Sequence, residues 1–339
     1  MTSRRQQLKR EIERINPVSL GTFPTPLHPI PRYGRSIGHD ELYIKRDDMS
    51  GFGLGGNKVR ALEFMLADLG DATSIIVGGG LQSNLCSIAA MAAASRDLDC
   101  LIVHNSDHPG RLEGNMLLNA MAGSREVFLG PVDEKTRSVA MEDLAVELRH
   151  RGERPYVFDE EVVAHRSALG YVVACLEFVE QCDRCGLDIE HLAIPGAMAG
   201  TASGLVAGAA ILGVDFHVHV INVEYPGDTL AELVGSYTSW VFDTLGMDPI
   251  HPVSRVMTVH HHSLGEGYSR PTEESLRAQV DLARTQGILT ELVYTSKTLA
   301  GLARLIRDRA VAPGEGACFW HTGGIGALFA QGDTIADWL

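Results

Sequence analysis

Ser74-Ile75-Ile76-Val77 runs directly into Gly78-Gly79-Gly80. A short apolar run rich in β-branched residues reads as a strand buried on both faces, and the triple glycine ends it. The handover recurs downstream, where Leu192–Ile194 precedes the stretch from Gly196 to Gly204 and Ala317–Trp320 precedes Gly323, Gly324 and Gly326. Leu42–Lys45, Cys100–His104, Glu126–Phe128, Phe216–Val223 and Arg255–Val259 are further strand candidates, separated by alanine-rich helical stretches. That alternation predicts an α/β protein with parallel sheets flanked by helices. In open sheets of this kind ligands bind at the carboxyl edge, where glycine lets backbone N–H groups approach an anion and the following helix adds its positive end. Three such turns in one chain, two of them beside hydroxyl residues, point to a phosphorylated cofactor or an anionic substrate.

The chain has 339 residues and 45% hydrophobic content, which supports a sizeable core and suits two lobes. A formal net charge of -14 works against nucleic acid or an anionic membrane as partner. The basic opening MTSRRQQLKREIERI lacks the apolar run of a secretory signal, and no run of about 18 apolar residues is evident, so a cytoplasmic location is expected. Six cysteines are too sparse for a disulfide scaffold. Cys182 and Cys185 form an isolated C-x-x-C, read as structural thiols near a helix end. His260, His261 and His262 would alternate faces in a strand and cannot all hold one ion. No metal is expected.

The segment Lys45-Arg46-Asp47-Asp48 is followed by Gly55-Gly56-Asn57-Lys58, which places a lysine at the entry of a helix beginning near Val59. A cation there is opposed by the helix dipole, which favours the neutral amine that attacks a carbonyl.

With these residues stand Pro24-Thr25-Pro26-Leu27, Gln82-Ser83-Asn84, Leu169-Gly170-Tyr171, Ala199-Gly200-Thr201, Gly267-Tyr268, Val293-Tyr294-Thr295 with Lys297, and His321-Thr322-Gly323-Gly324. In this order and spacing the set resembles the D-cysteine desulfhydrase and 1-aminocyclopropane-1-carboxylate deaminase family, of the two-lobed tryptophan synthase β-like fold (fold type II), over nearly the whole chain. The resemblance implies pyridoxal 5'-phosphate (PLP) held as a Schiff base on Lys58, with Asn57 on the phenolic oxygen of the cofactor. Ser83 would lie near one face of the ring, with Gln82, Ser83 and Asn84 holding the substrate carboxylate. Ala199, Gly200 and Thr201 would cradle the phosphate, and Thr322 belongs to the same cofactor set. Tyr268 and Tyr294 correspond to the family's active-site tyrosines. Thr295 falls where the family contacts the pyridine nitrogen. A hydroxyl there leaves that nitrogen neutral, which favours the desulfhydrase-like branch over ring-opening deamination.

Several positions depart from the family pattern. A second lysine near the phosphate is replaced by Ala61, which leaves Arg60 as a candidate to supply the charge. The phosphate cup reads Gly196-Ala197-Met198, Leu85 stands where a polar residue is usual, Ser269-Arg270 replace glycine after Tyr268, and Glu160-Glu161 occupy the substrate side. The resemblance implies a lyase acting on a small amino acid by β-elimination, giving pyruvate, ammonia and a leaving group. β-Replacement, a deaminase-like reaction and a non-catalytic PLP-fold protein are the alternatives. A large lobe is expected from residues 1–52 and 172–339, with a small substrate-side lobe from 53–171. A homodimer is expected from the family.

Overall fold

The computed structural model describes residues 2–339. Ten strands, β1 (Leu27–Pro29), β2 (Leu42–Arg46), β3 (Ser74–Gly78), β4 (Asp99–His104), β5 (Arg125–Phe128), β6 (Pro155–Phe158), β7 (His191–Gly196), β8 (His217–Asn222), β9 (Met257–His260) and β10 (Ala317–His321), form two sheets. The larger has the order β1-β2-β10-β7-β8-β9 and the smaller β5-β4-β3-β6. β1 pairs antiparallel with β2, and the other pairings are parallel. All eight strands expected from the sequence form. β1 and β6 went unseen, because three or four residues around a proline carry almost no periodic signal.

The central strands are apolar on both faces because helices cover both sides. All five residues of β10 are buried, as are the first four of β3. The smaller sheet lies within residues 53–171, and the strands of the larger sheet lie outside them. The helix Glu160–Cys185, 26 residues long, runs through position 171 without a break. It begins at Asp159, whose side chain accepts a hydrogen bond from Val162 N, and ends at Gly186 in the left-handed conformation. Cys182 and Cys185 are unpaired thiols at that end. This helix is long and apolar enough to cross a membrane, but 72% of its most apolar stretch is buried inside the protein.

Against it packs the helix Gly200–Leu212. A Cβ at Gly204 would press on Tyr171 Cβ at 2.7 Å, and one at Gly208 on Cys175 Cβ at 2.6 Å. Glycines four residues apart therefore form one seam that brings the two helices into close contact. This packing sets the start of the second helix at the carboxyl end of β7, facing the smaller sheet.

Candidate active site

A cavity of about 510 Å³ lies where the carboxyl ends of both sheets face each other. Lys58, Asn57, Gln82, Ser83, Asn84, Ala199, Gly200, Thr201, Tyr268, Tyr294 and Thr322 all line it. Lys58 is the second residue of the helix Asn57–Met65. Gly56, at φ 108°, makes the turn into that helix, and a Cβ there would meet Thr322 O at 2.9 Å. Asn57 N donates to the same Thr322 carbonyl at 2.9 Å, so the turn after β10 holds Lys58 in place. Burial lowers the Lys58 amine from its ordinary 10.5 to about 8, with Glu224 pulling the other way.

Ser83 caps the helix Asn84–Ala94 by accepting from Cys86 N at 3.3 Å. Gln82 is already engaged: its Nε2 donates to Glu113 O and its Oε1 accepts from Asn115 N at 2.9 Å. Asn115 Nδ2 also donates to Asn84 Oδ1 at 2.8 Å. The Gln82 amide therefore supports this turn, and the donors nearest to hand for a carboxylate are the first-turn N–H groups of Asn84 and Leu85.

The cup before the helix Gly200–Leu212 contains Ala199 at φ 59°, a strained value for a residue with a Cβ. Ala199 N donates to Ala197 O at 2.5 Å and Gly200 N to Met198 O at 2.7 Å, so two cup amides turn onto the cup's own carbonyls. The helix start still offers the Thr201 and Ala202 N–H groups and the Thr201 hydroxyl, which itself accepts from Asn57 Nδ2 at 2.9 Å. A lysine amine of lowered basicity, an amide, a hydroxyl and an open helix N-terminus on one cavity fit an aldehyde that carries a phosphate.

Arg60 does not supply charge here. It is 2% exposed and bound to Asp47 and Glu177, away from the cavity wall, because buried Asp47 and half-buried Glu177 already hold it. Leu85, Met198 and Glu160 do line the wall, and Ala61 is buried elsewhere. Thr295 stands behind the wall. Its hydroxyl accepts from Glu291 N at 2.9 Å and donates to Glu291 Oε1 at 3.1 Å, while Glu291 itself reaches the cavity. Glu291 caps the helix Thr295–Arg307, accepting from Val293, Tyr294 and Thr295 N.

The Tyr268 and Tyr294 hydroxyls bond to each other. Tyr268 is 44% exposed as a whole residue, but its hydroxyl meets Tyr294 on the cavity, and desolvation there raises both phenols, Tyr294 well above its ordinary range, so both keep their protons at neutral pH. Lys297 holds the loop that carries Tyr268, donating to Leu264 O at 2.8 Å and Gly267 O at 2.9 Å.

Sequence reasoning missed Glu224 and Arg137. Glu224 follows β8 at the carboxyl edge, a placement that the ligand-site rule for open sheets covers. Among the described residues its Oε2 is buried without a partner, and burial together with Glu134 raises it to about 7. Arg137 is 7% exposed, and its Nε lacks a partner among the described residues. A Cβ on Gly78 would meet that Nε at 2.8 Å, so Gly78 leaves room for the guanidinium to cross the end of β3.

Residues 18–323 match the pyridoxal-phosphate dependent enzyme family. The chain is 32% identical over 333 residues to a D-cysteine desulfhydrase of Klebsiella pneumoniae, covering 95% of this chain and 98% of the relative. It is 31% identical over 325 residues to a putative 1-aminocyclopropane-1-carboxylate deaminase of Pyrococcus horikoshii, covering 95% and 96%. A crystal structure of an ACC deaminase homologue superposes with a TM-score of 0.89 at 29% identity, covering 98% of this chain and 99% of that one. The threonine deaminase isoform 2 of Solanum lycopersicum shares the fold at a TM-score of 0.68 and 14% identity. The chain therefore belongs to the pyridoxal-phosphate dependent enzymes, and pyridoxal phosphate is its cofactor.

Proposed function

We propose that this protein is a lyase that removes a β-substituent from a small amino acid, as D-cysteine desulfhydrase does, with release of pyruvate and ammonia. The observation that carries this reading is the placement of Lys58, whose amine is lowered to about 8, in one cavity with two protonated tyrosines and an open helix N-terminus. Bound pyridoxal phosphate supplies the electron sink for a carbanion at the α-carbon. Lys58 would hold the cofactor and, once freed, move the proton of the α-carbon. The Thr201 hydroxyl and the helix start behind it would bind the phosphate, and Asn57 and Thr322 would orient the ring. Ser83 and the N–H groups of Asn84 and Leu85 would bind the substrate carboxylate. The Tyr268–Tyr294 pair would give a proton to the departing group. Thr295 and Glu291 would act as a coupled pair behind the ring nitrogen.

The free cysteines are compatible with the reducing cytoplasm, which is the location proposed here, and a homodimer is proposed by resemblance to the family. The test is a screen of D- and L-amino acids with β-leaving groups, D-cysteine among them. Wild-type protein should show the absorption band of lysine-bound PLP and release keto acid from at least one of them. Lys58→Ala should lose the band and at least ~1,000-fold of the rate. An unchanged band in Lys58→Ala, or no keto acid from any substrate, overturns the reading.

A further inference from the structure

A second cavity, of about 460 Å³, opens at the amino ends of β7 and β8, the opposite end of β7 from Gly196 and the first cavity. Glu190, His191 and Glu315 line it, and their ligand atoms lie within 4.8 Å of one another. Backbone contacts hold them together. Glu190 N and His191 N both donate to Gly316 O, at 2.8 and 3.0 Å, and any Cβ on Gly316 would run into Asp188 O. Glu315 Oε2 accepts from Ala312 N at 2.6 Å, which fixes the carboxylate as well.

Behind His191 stands a row of imidazoles across three neighbouring strands. His191 Nδ1 lies 3.0 Å from His219 Nε2, and His219 Nδ1 lies 2.9 Å from His260 Nε2. We propose that Glu190, His191 and Glu315 bind a divalent first-row metal ion such as zinc through Nε2 of His191 and the two carboxylates, with the remaining positions open to the cavity. One imidazole and two carboxylates are a donor set that suits such ions, and the ring nitrogen away from the metal needs an acceptor, which His219 supplies.

The row also says how the protein would record the ion. Without metal and with all three rings neutral, His191 Nε2 donates to Glu315 Oε2 at 3.0 Å, which leaves His191 Nδ1 to accept from His219 Nε2, and His219 Nδ1 from His260 Nε2. All three rings are then Nε2–H tautomers. A metal on His191 Nε2 reverses each of them. His191 releases its Nε2 proton, the two protons between the rings each shift by one ring, and half-buried His260 takes one from solvent at Nδ1. Both ring-to-ring hydrogen bonds survive, the one from His191 to Glu315 gives way to the metal, and no net proton is lost.

The test uses tag-free holoprotein with ¹⁵N-labelled histidine, titrated with zinc ion and followed by calorimetry and by the ring-nitrogen resonances. One zinc per chain is expected, with His191, His219 and His260 changing from the Nε2–H to the Nδ1–H pattern together and the band of lysine-bound PLP unchanged. The double variant Glu190→Gln, Glu315→Gln should bind at least tenfold more weakly, and His219→Phe should lose about 10–100-fold. Zinc binding that leaves the three tautomers unchanged overturns the proposal, as does a double variant that binds as tightly as wild type. The resonance readout needs no variant, so a substitution that fails to fold does not blunt the test.

Discussion

Two buried arginines, Arg60 and Arg137, differ in almost everything except exposure, which is 2% and 7%. Arg60 donates to Asp47 at 2.8 and 2.9 Å and to Glu177 at 3.0 Å, and its guanidinium stacks over Phe23 at 4.1 Å. Asp47 also accepts from Thr25, Tyr171 and Trp320, and Lys45 is bound to Glu177. The Arg60 and Lys45 charges hold the Asp47 carboxyl well below the ordinary range, against the opposing effect of burial. Arg137 has an unbonded Nε and reaches Glu160 and Glu134 only at 3.4 and 3.8 Å. The contrast separates two uses of buried charge. A fully satisfied network specifies the fold, and an incompletely satisfied one facing a cavity is free to meet a ligand.

The sharpest way to break this contrast is Arg60→Met, which leaves buried Asp47 and half-buried Glu177 without their main partner. It should cost about 3–5 kcal/mol in urea unfolding. A loss below 1 kcal/mol would show that the network does not hold the fold together. Next comes Glu224→Gln. The folded-state value of Glu224, about 7, lies above its ordinary 4.5, so ionisation opposes folding. That cost sets in as pH rises from 4.5 to 7 and is complete above 7. The PLP-free variant should therefore gain on the order of 2 kcal/mol over wild type at pH 8 and nothing at pH 4.5. An equal gain at both values removes titration as the cause. The smallest change in stability is expected for Arg137→Met, within about 1 kcal/mol of wild type because its ion pairs are long. The same variant should change KM for the substrate identified by the screen by about tenfold, with kcat moving less.

The strands and the cavity placement of Lys58 were legible because their signals are local. A β-branched run ending in glycine needs no knowledge of its neighbours, and neither does a lysine set two residues behind a glycine turn. The Asp47 network could not be read, since Thr25, Lys45, Arg60, Tyr171, Glu177 and Trp320 meet only when the chain closes over distances of up to 273 positions. Arg60 illustrates the consequence: its place two residues after Lys58 suggested a phosphate ligand, but the helix turns it into the core. Gln82 shows the same effect, because Asn115 takes up its amide from 33 positions away. Thr295 marks a finer limit, since only the packing reveals that its hydroxyl is bound to Glu291.

The helix Glu160–Cys185 spans about 39 Å at 1.5 Å per residue. Glu160 at one end lies on the wall of the first cavity, and Cys182 near the other lies on the wall of the second. The two openings thus share one rigid spindle, clamped along its length by the glycine seam. Tilting it to narrow one mouth must shift the wall of the other.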